Sequence, residues 1–205
     1  MSQSPPATAA PVQISLKGSR TEKNLAAAYA HESMARNKYT YFASRAKKDG
    51  YEQISAIFLE TAENEREHAK KFLKLMKGDG SQVHVQFQVP GFSIQNTLEN
   101  LKSSAEGELE EHSQMYPHMA AIAEQEGFDE IAKTFRAIAC VEREHQMRFL
   151  LLAKQVETGT VFKRNREVSW KCRNCGNVVV GFEAPAECPV CGHAQSYYEM
   201  KEVLE

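Results

Sequence analysis

Four segments of the chain carry apolar side chains at alternating intervals of three and four residues, the spacing that places side chains on one face of an α-helix. Short stretches that contain glycine or proline separate these segments. The four stripes are Leu25, Tyr29, Glu32, Tyr39, Phe42 and Ala46; Ile54, Phe58, Thr61, Glu65, His68, Phe72 and Leu75; Ile94, Leu98, Leu101, Ala105, Glu108, Met115, Met119 and Ile122; and Ile131, Phe135, Ile138, Glu142, His145, Phe149, Leu152 and Val156. The pattern predicts four long helices packed as an all-α four-helix bundle.

Capping residues and helix breakers give the bounds of these predicted helices. Residues 78–93 contain glycines, a proline and a short apolar alternation, so they are predicted to form one long extended crossover between two helical hairpins. Pro117 is expected to kink the third helix. The predicted helices run from Ser19 or Thr21 to Asp49, from Tyr51 to Lys77, from Ile94 to Gln125 and from Phe128 to Glu157.

The length of 205 residues leaves room for one ordinary domain and a small second one. We predict a flexible tail at 1–15, the bundle at 16–160 and a small metal-binding β domain at 161–205. The 25 basic and 27 acidic residues are interspersed, so no nucleic-acid partner is expected. The apolar runs are much shorter than the roughly 20 residues that cross a bilayer, and residues 1–15 lack signal-peptide features, which predicts a cytoplasmic protein without a membrane partner.

Each apolar stripe contains a glutamate near its middle, at Glu32, Glu65, Glu108 and Glu142. Burying one unpaired carboxylate costs several kcal/mol, whereas a whole domain is held together by only roughly 5 to 15 kcal/mol. No stripe position is occupied by lysine or arginine, but a pair of bound cations would neutralise the carboxylates. The bundle interior is therefore predicted to hold two metal ions. Glu111 lies one turn beyond Glu108, on the neighbouring edge of the same face.

Two of the helices also place a histidine three residues after the stripe glutamate, in the pairs Glu65 with His68 and Glu142 with His145. About one helical turn separates the members of each pair, so both side chains can reach one metal pair. The other two helices contribute single glutamates. This combination is the ligand arrangement of ferritin-like di-iron carboxylate bundles.

An internal repeat relates the two halves of the predicted bundle. Residues 49–54 are similar to residues 126–131, and the same spacing separates each segment from its Glu-x-x-His motif. The repeat predicts a pseudo-twofold metal site. In such a site the bridging ligands are Glu65 and Glu142, the terminal carboxylates are Glu32 and Glu108, and the ligands at the two ends are His68 and His145.

Four of the five cysteines form two Cys-x-x-Cys pairs near the C-terminus, which is typical of a tetrahedral metal site. The spacing alone fits zinc as well as iron. Cys140 lies two residues before Glu142, off the metal face, and is expected to be a small buried side chain. The four predicted ligands are Cys172, Cys175, Cys188 and Cys191.

Several of these motifs together resemble the rubrerythrin family, over a stretch from Ser15 to the C-terminus. The Cys-x-x-Cys-Gly knuckles, with Trp170 beside the first, also resemble rubredoxin, which favours iron in the C-terminal domain. The motifs are Lys17-Gly18-Ser19-Arg20-Thr21-Glu22-Lys23-Asn24, Ala35-Arg36-Asn37-Lys38-Tyr39, the two Glu-x-x-His motifs and the two knuckles.

The resemblance implies a non-haem di-iron peroxidase that reduces hydrogen peroxide to water in oxidative-stress defence. It implies a carboxylate-bridged iron pair and one iron on four cysteines as cofactors. Electrons would come from an external reductase that draws on a nicotinamide nucleotide, or from rubredoxin. They would pass through the cysteine-bound iron of one subunit to the iron pair of its partner in a head-to-tail homodimer.

The resemblance also implies roles for individual residues. In the family, residues matching Glu111 and His68 are alternative ligands of one iron, and tyrosines matching Tyr39 and Tyr116 hydrogen-bond the ligand carboxylates. The residues expected to act in catalysis are Glu65, Glu142, Glu111, His68, Tyr39 and Tyr116. The expected metal ligands are Glu32, Glu65, His68, Glu108, Glu111, Glu142, His145, Cys172, Cys175, Cys188 and Cys191.

Two other functions fit parts of the same pattern. A ferritin relative that oxidises or stores iron could use the same bundle, but it would have no use for a built-in electron inlet. A regulator that binds zinc on the four cysteines would be colourless and would not respond to peroxide. The presence of both metal-binding motifs in one chain favours the peroxidase.

Overall fold

The computed structural model describes residues 15–78, 80–86, 88–89, 91 and 93–201. The predicted tail at 1–15 lies outside these residues apart from Ser15. The helices are α1 Arg20–Lys48, α2 Glu52–Met76, α3 Thr97–Glu110, α4 Tyr116–Gln125 and α5 Asp129–Glu157, with a π-helical turn at Glu111–Met115 between α3 and α4. The strands are β1 Lys163–Cys172, β2 Val178–Glu183 and β3 Tyr198–Met200. The predicted ferritin-like bundle with a small C-terminal β domain is confirmed.

Local chemistry fixes the ends of the helices. The hydroxyl of Ser19 accepts a hydrogen bond of 3.0 Å from the backbone N–H of Glu22, and this cap starts α1. The side chain of Asn96 caps α3 in the same way through the N–H of Glu99. The breaks after α1 and α4 fall at Gly50 and Gly127, whose φ angles of 88° and 80° favour glycine.

Three predicted core positions are wrong. Tyr29 is 37% exposed because Ala28, one residue earlier, takes the inward position in the helical repeat. Ile94 is 53% exposed because the cap at Asn96 delays the start of α3. Cys140 is off the metal face as predicted, but it is exposed on α5 instead of buried.

The third predicted helix is interrupted just before Pro117. The backbone N–H of Tyr116 bonds to the carbonyl of Glu111, five residues back, which is the pattern of a π-helix. The predicted irregularity near the proline is therefore a π-helical turn, Glu111–Met115, that ends where α4 begins. π-Helical turns are frequent at functional sites, and this one begins with a predicted metal ligand.

Two apolar clusters fill the bundle, one toward each end. Aromatic side chains dominate both, and those named below are fully buried. One cluster contains Tyr39, Phe42, Phe58 and Phe149, and the other contains Phe72, Tyr116 and Phe135. Neither cluster includes the predicted metal ligands, but a tyrosine of each cluster hydrogen-bonds one of the glutamates among them. They are therefore surrounded by a water-poor medium of low dielectric constant, in which charge interactions are strong.

The C-terminal domain is a three-stranded antiparallel sheet in the order β2-β1-β3. Trp170 is fully buried there, and its indole N–H donates to the carbonyl of Gly181 at 3.0 Å. The domain rests on the bundle through Val161, which joins a bundle cluster, and through Phe162, whose ring stacks on Tyr51. None of the described helices has the length and apolar character needed to cross a bilayer.

Candidate metal centres

The four stripe glutamates converge in the middle of the bundle. Glu32, Glu65, Glu108 and Glu142 are each at most 1% exposed, although they come from four different helices. Their ligand atoms and those of two histidines form two groups, in each of which all atoms lie within 4.8 Å of one another. The first group is Glu32, Glu65, His68 and Glu142, and the second is Glu65, Glu108, Glu142 and His145.

The two groups share Glu65 and Glu142, as the internal repeat predicts. Around His68 Nδ1, Glu65 Oε2 lies at 2.9 Å and Glu142 Oε1 at 3.0 Å. Around His145 Nδ1, Glu142 Oε2 lies at 2.8 Å and Glu65 Oε1 at 3.3 Å. Each shared carboxylate therefore turns one oxygen toward each histidine, which is the arrangement of a bridging ligand.

These atoms are the right kind and number for a pair of cations. Both oxygens of Glu142, one oxygen each of Glu32, Glu65 and Glu108, and Nδ1 of His145 are buried without a hydrogen-bond partner in the described structure. Leaving buried polar atoms unpaired is costly, so a protein rarely gathers six of them without a ligand. Oxygen and imidazole nitrogen suit iron and other first-row divalent metals.

Glu111 occupies a different position from the other carboxylates. It is 2% exposed, but it belongs to neither of the two ligand groups. Its Oε1 lies 3.3 Å from Nε2 of His31, on α1, whose side chain is 28% exposed. The π-helical turn places Glu111 at the edge of the site, between the ligand groups and this histidine.

Two buried tyrosines hydrogen-bond the glutamates that are predicted to be terminal ligands. The hydroxyl of Tyr39 donates a short hydrogen bond to Glu108, and that of Tyr116 donates one to Glu32. Burial raises the pKa of each tyrosine well above its usual value, and the neighbouring glutamate raises it further. Both phenols therefore keep their protons and remain donors.

The four C-terminal cysteines form the third ligand group. The Sγ atoms of Cys172 and Cys191 are 3.8 Å apart, and those of Cys175 and Cys188 are 3.6 Å apart. Four sulfurs at about 2.3 Å from a central metal would lie about 3.8 Å apart, so the cradle already has tetrahedral dimensions. All five cysteines are free of disulfide bonds.

Comparison with known proteins identifies the family. The family model described as rubrerythrin matches residues 23–153, and the model described as the rubrerythrin, rubredoxin-like domain matches residues 170–199. The chain belongs to the rubrerythrin family. It is 52% identical to a rubrerythrin of Porphyromonas gingivalis over 185 residues, covering 90% of this chain and 92% of that one. It is 49% identical to a rubrerythrin of Nitratidesulfovibrio vulgaris over 186 residues, covering 91% and 96%.

Solved structures of other proteins agree with the fold. The chain resembles nigerythrin in a mixed-valent state with a TM-score of 0.61 and 30% identity, covering 94% of this chain and 91% of that one. An open-pore ferritin of Archaeoglobus fulgidus shares the bundle fold, with a TM-score of 0.58, 17% identity and coverage of 72% and 88%. The predicted cofactors, a carboxylate-bridged iron pair and one iron on four cysteines, agree with the family and with the three ligand groups.

The electrostatics of this rubrerythrin site show how its groups behave without metal. Burial raises the pKa values of Glu32, Glu108 and Glu111 well above their usual range, and repulsion from neighbouring carboxylates adds to the effect. Burial acts to raise the pKa of Glu65 as well, but the adjacent imidazoles of His145 and His68 outweigh it and lower this pKa to about 2.

The pKa values of the two site histidines, His68 and His145, are raised although both side chains are largely buried. Burial alone would lower their pKa values, but Glu142 and Glu65 raise that of His68 to about 9 and that of His145 to about 10. Without metal, the site is thus held together by imidazolium groups between carboxylates. Metal binding would replace these protons, since only neutral imidazole can act as a ligand.

The iron-free rubrerythrin is expected to lose stability as the pH rises. The pKa values of the two histidines are about 9 and about 10 in the folded chain, against about 6.5 in the unfolded chain. Their contribution to the stability of the fold is therefore fully present below about pH 6.5. It disappears as the pH rises through about 9 to 10. Between about pH 6.5 and pH 9.5 we expect the free energy of unfolding to fall by several kcal/mol, with a corresponding fall in Tm. Thermal unfolding of the iron-free protein, followed by circular dichroism, measures this loss of stability. A Tm that rises over this pH range would contradict the raised pKa values of His68 and His145.

Sequence reasoning missed two partners of the site. Asn64 places Oδ1 at 3.2 Å from Nε2 of His145, so the Nε2–H can donate to it and leave Nδ1 facing the carboxylates. His31, which belongs to none of the sequence motifs, faces Glu111. Both lie one residue before a predicted ligand, which is the only sequence signal that could have pointed to them.

Proposed function

We propose that this rubrerythrin reduces hydrogen peroxide to water, in the reaction H2O2 + 2 e⁻ + 2 H⁺ → 2 H2O, with electrons entering through the four-cysteine centre. The observation that carries the proposal is the set of buried, unpaired ligand atoms shared between two groups in the bundle. Family membership supports the coarser part of the statement, an iron protein of oxidative-stress defence. A solved nigerythrin structure is described as fully reduced and all ferrous, which fits a bundle that cycles between iron oxidation states.

We assign the ligands by the geometry of the two groups. Glu65 and Glu142 would bridge two iron ions, because each belongs to both groups. Glu32 and His68 would complete the coordination of one ion, and Glu108 and His145 would complete that of the other. A bound ferrous pair would supply the two electrons that cleave the O–O bond of peroxide.

The protein's own side chains orient the ligands and keep out water. Tyr39 and Tyr116 hold the outer oxygens of Glu108 and Glu32, so that the other oxygen of each carboxylate stays turned toward the metal. Asn64 fixes the ring of His145 in one tautomer. The aromatic clusters on either side limit water, which strengthens every charge interaction in the site.

Glu111 is proposed as the ligand that exchanges with His68 during turnover. Its position next to the two ligand groups but outside them supports a part-time role. Replacing Glu111 by Ala is expected to leave iron binding intact and to slow peroxide turnover by about 10- to 100-fold, the range for groups just outside a metal's fixed ligands. Steady-state peroxide consumption and iron content per chain measure this effect.

Glu110→Ala is the matched control, because Glu110 is the neighbouring exposed glutamate. It should retain normal turnover. An E111A variant with an unchanged rate would remove Glu111 from the proposed cycle, and one that loses the iron pair would make it a permanent ligand instead.

The remaining proposals concern the whole protein. We propose a bundle domain at 16–160 and an iron domain at 161–205, joined in a head-to-tail homodimer in which each iron domain serves the partner's bundle. An external reductase linked to a nicotinamide nucleotide, or a rubredoxin, would donate the electrons. Five cysteines without a disulfide support a reducing, cytoplasmic location.

Iron oxidation or storage is the alternative function, since the bundle fold is shared with a ferritin. The four-cysteine domain favours the peroxidase, because a storage protein does not need an electron inlet. The deciding test is steady-state consumption of peroxide with an electron donor present. Catalytic turnover supports the peroxidase, whereas accumulation of many irons per chain without turnover supports storage.

A further inference from the structure

The sulfur of Cys188 has two side chains beside it that can donate hydrogen bonds. Asn177 Nδ2 donates to Cys188 Sγ at 3.9 Å, within the range for a sulfur acceptor. Tyr198, on β3, packs in the same small core as Cys188 and is fully buried. Both donors lie outside the two Cys-x-x-Cys motifs, so the motifs alone do not reveal them.

The hydroxyl of Tyr198 is the more informative of the two. It is buried and has no hydrogen-bond partner of ordinary geometry within the described residues. A hydroxyl hydrogen rotates freely about the C–O bond, so this donor can turn toward the neighbouring sulfur. Burial raises the pKa of Tyr198 to about 12 and the Cys188 sulfur contributes to the rise, so the phenol keeps its proton.

These contacts matter because the charge of an iron site changes on reduction. Four thiolates around Fe³⁺ carry a net charge of −1, and adding one electron gives Fe²⁺ and a net charge of −2. No proton or bond has to change in this step. A hydrogen-bond donor aimed at a sulfur stabilises the more negative state more strongly, and therefore raises the reduction potential.

We propose that Tyr198 and Asn177 are positioning residues that raise the reduction potential of the four-cysteine iron through Cys188. The inference rests on the proposed use of this site as a one-electron iron centre. A raised potential makes the centre a better acceptor from an external reductase, and it keeps the inlet of the enzyme reduced between turnovers. Tuning through one sulfur also makes the four ligands unequal, although their backbone knuckles are similar.

Redox titration of the full-length, iron-loaded protein tests the proposal. Tyr198→Phe and Asn177→Ala are each expected to shift the equilibrium of the one-electron couple about tenfold toward the ferric form, which corresponds to about 59 mV. Tyr198→Phe removes only the hydroxyl and keeps the buried ring, so this variant should fold even if Asn177→Ala does not. The potential is read from the thiolate-to-iron absorption of the ferric state.

Tyr197→Phe is the matched control. Tyr197 is the adjacent, half-buried tyrosine, and its ring contacts the ring of His193. Its loss should leave the potential unchanged. Unshifted potentials in both test variants, or an equal shift in Tyr197→Phe, would overturn the proposal. A wild-type protein without thiolate-to-iron absorption would instead overturn the underlying assignment of iron to the four cysteines.

Discussion

Replacing Glu142 by Ala is expected to remove the paired iron from the bundle while leaving the cysteine-bound iron in place. Glu142 belongs to both ligand groups, and both of its oxygens are buried without a hydrogen bond. Its loss takes one ligand from each proposed iron. It also removes the nearest carboxylate of His145 and one of the two close carboxylates of His68. Mutating a residue that only supports a metal ligand typically costs about 10- to 100-fold in activity. Glu142 is itself a proposed ligand, so peroxide turnover should fall by more than about 100-fold.

Glu144→Ala is the control for this experiment. Glu144 is an exposed residue of the same helix whose side chain pairs only with Arg143 in the described structure. Iron analysis per chain and the thiolate-to-iron absorption separate the two kinds of site. Retention of the iron pair in Glu142→Ala, or its loss in Glu144→Ala, would contradict the bridging assignment.

Replacing Cys172 by Ser is expected to stop steady turnover without preventing a single reaction with peroxide. Cys172 is fully buried, and its sulfur is one of the four that form the tetrahedral site. The hydroxyl of serine is a poor substitute for a thiolate ligand. The bundle ligands lie in a separate core and should still bind iron. Chemically reduced protein would therefore be oxidised once by peroxide, but electrons from the reductase would no longer arrive.

Cys140→Ser is the matched variant, because Cys140 is an exposed cysteine of α5 that belongs to none of the ligand groups. It should turn over normally. If Cys172→Ser continues to turn over with an external reductase, electrons enter the bundle by another route and the proposed role of the C-terminal domain is wrong.

The candidate ligands could be found from the sequence because buried charges are conspicuous in an apolar stripe. Glu32, Glu65, Glu108 and Glu142 each interrupt a helical repeat of apolar residues, and the structure brings all four together. The roles of Tyr39 and Tyr116 came from the family resemblance, since a tyrosine in a core stripe looks the same whether it packs or donates. Their hydrogen bonds to Glu108 and Glu32 appear only in the structure.

The features missed from the sequence depend on how separate helices are rotated and packed. His31 meets Glu111 only because the π-helical turn and α1 come together, and no local pattern encodes that contact. The exposure of Tyr29 follows from a phase difference of one residue in α1, where Ala28 also satisfies the repeat. Tyr198 shares a core with Cys188 because β3 pairs with β1, and strands this short cannot be recognised from the sequence.

The most direct test of the central claim is stopped-flow mixing of fully reduced, iron-loaded protein with one equivalent of hydrogen peroxide, combined with iron analysis per chain. We expect three irons per chain and rapid oxidation of the bundle pair at a rate that rises with peroxide concentration. Two electrons per chain should be consumed for each peroxide. Ferrous iron in the bundle that stays unchanged on mixing, or a chain that binds no paired iron, would contradict it.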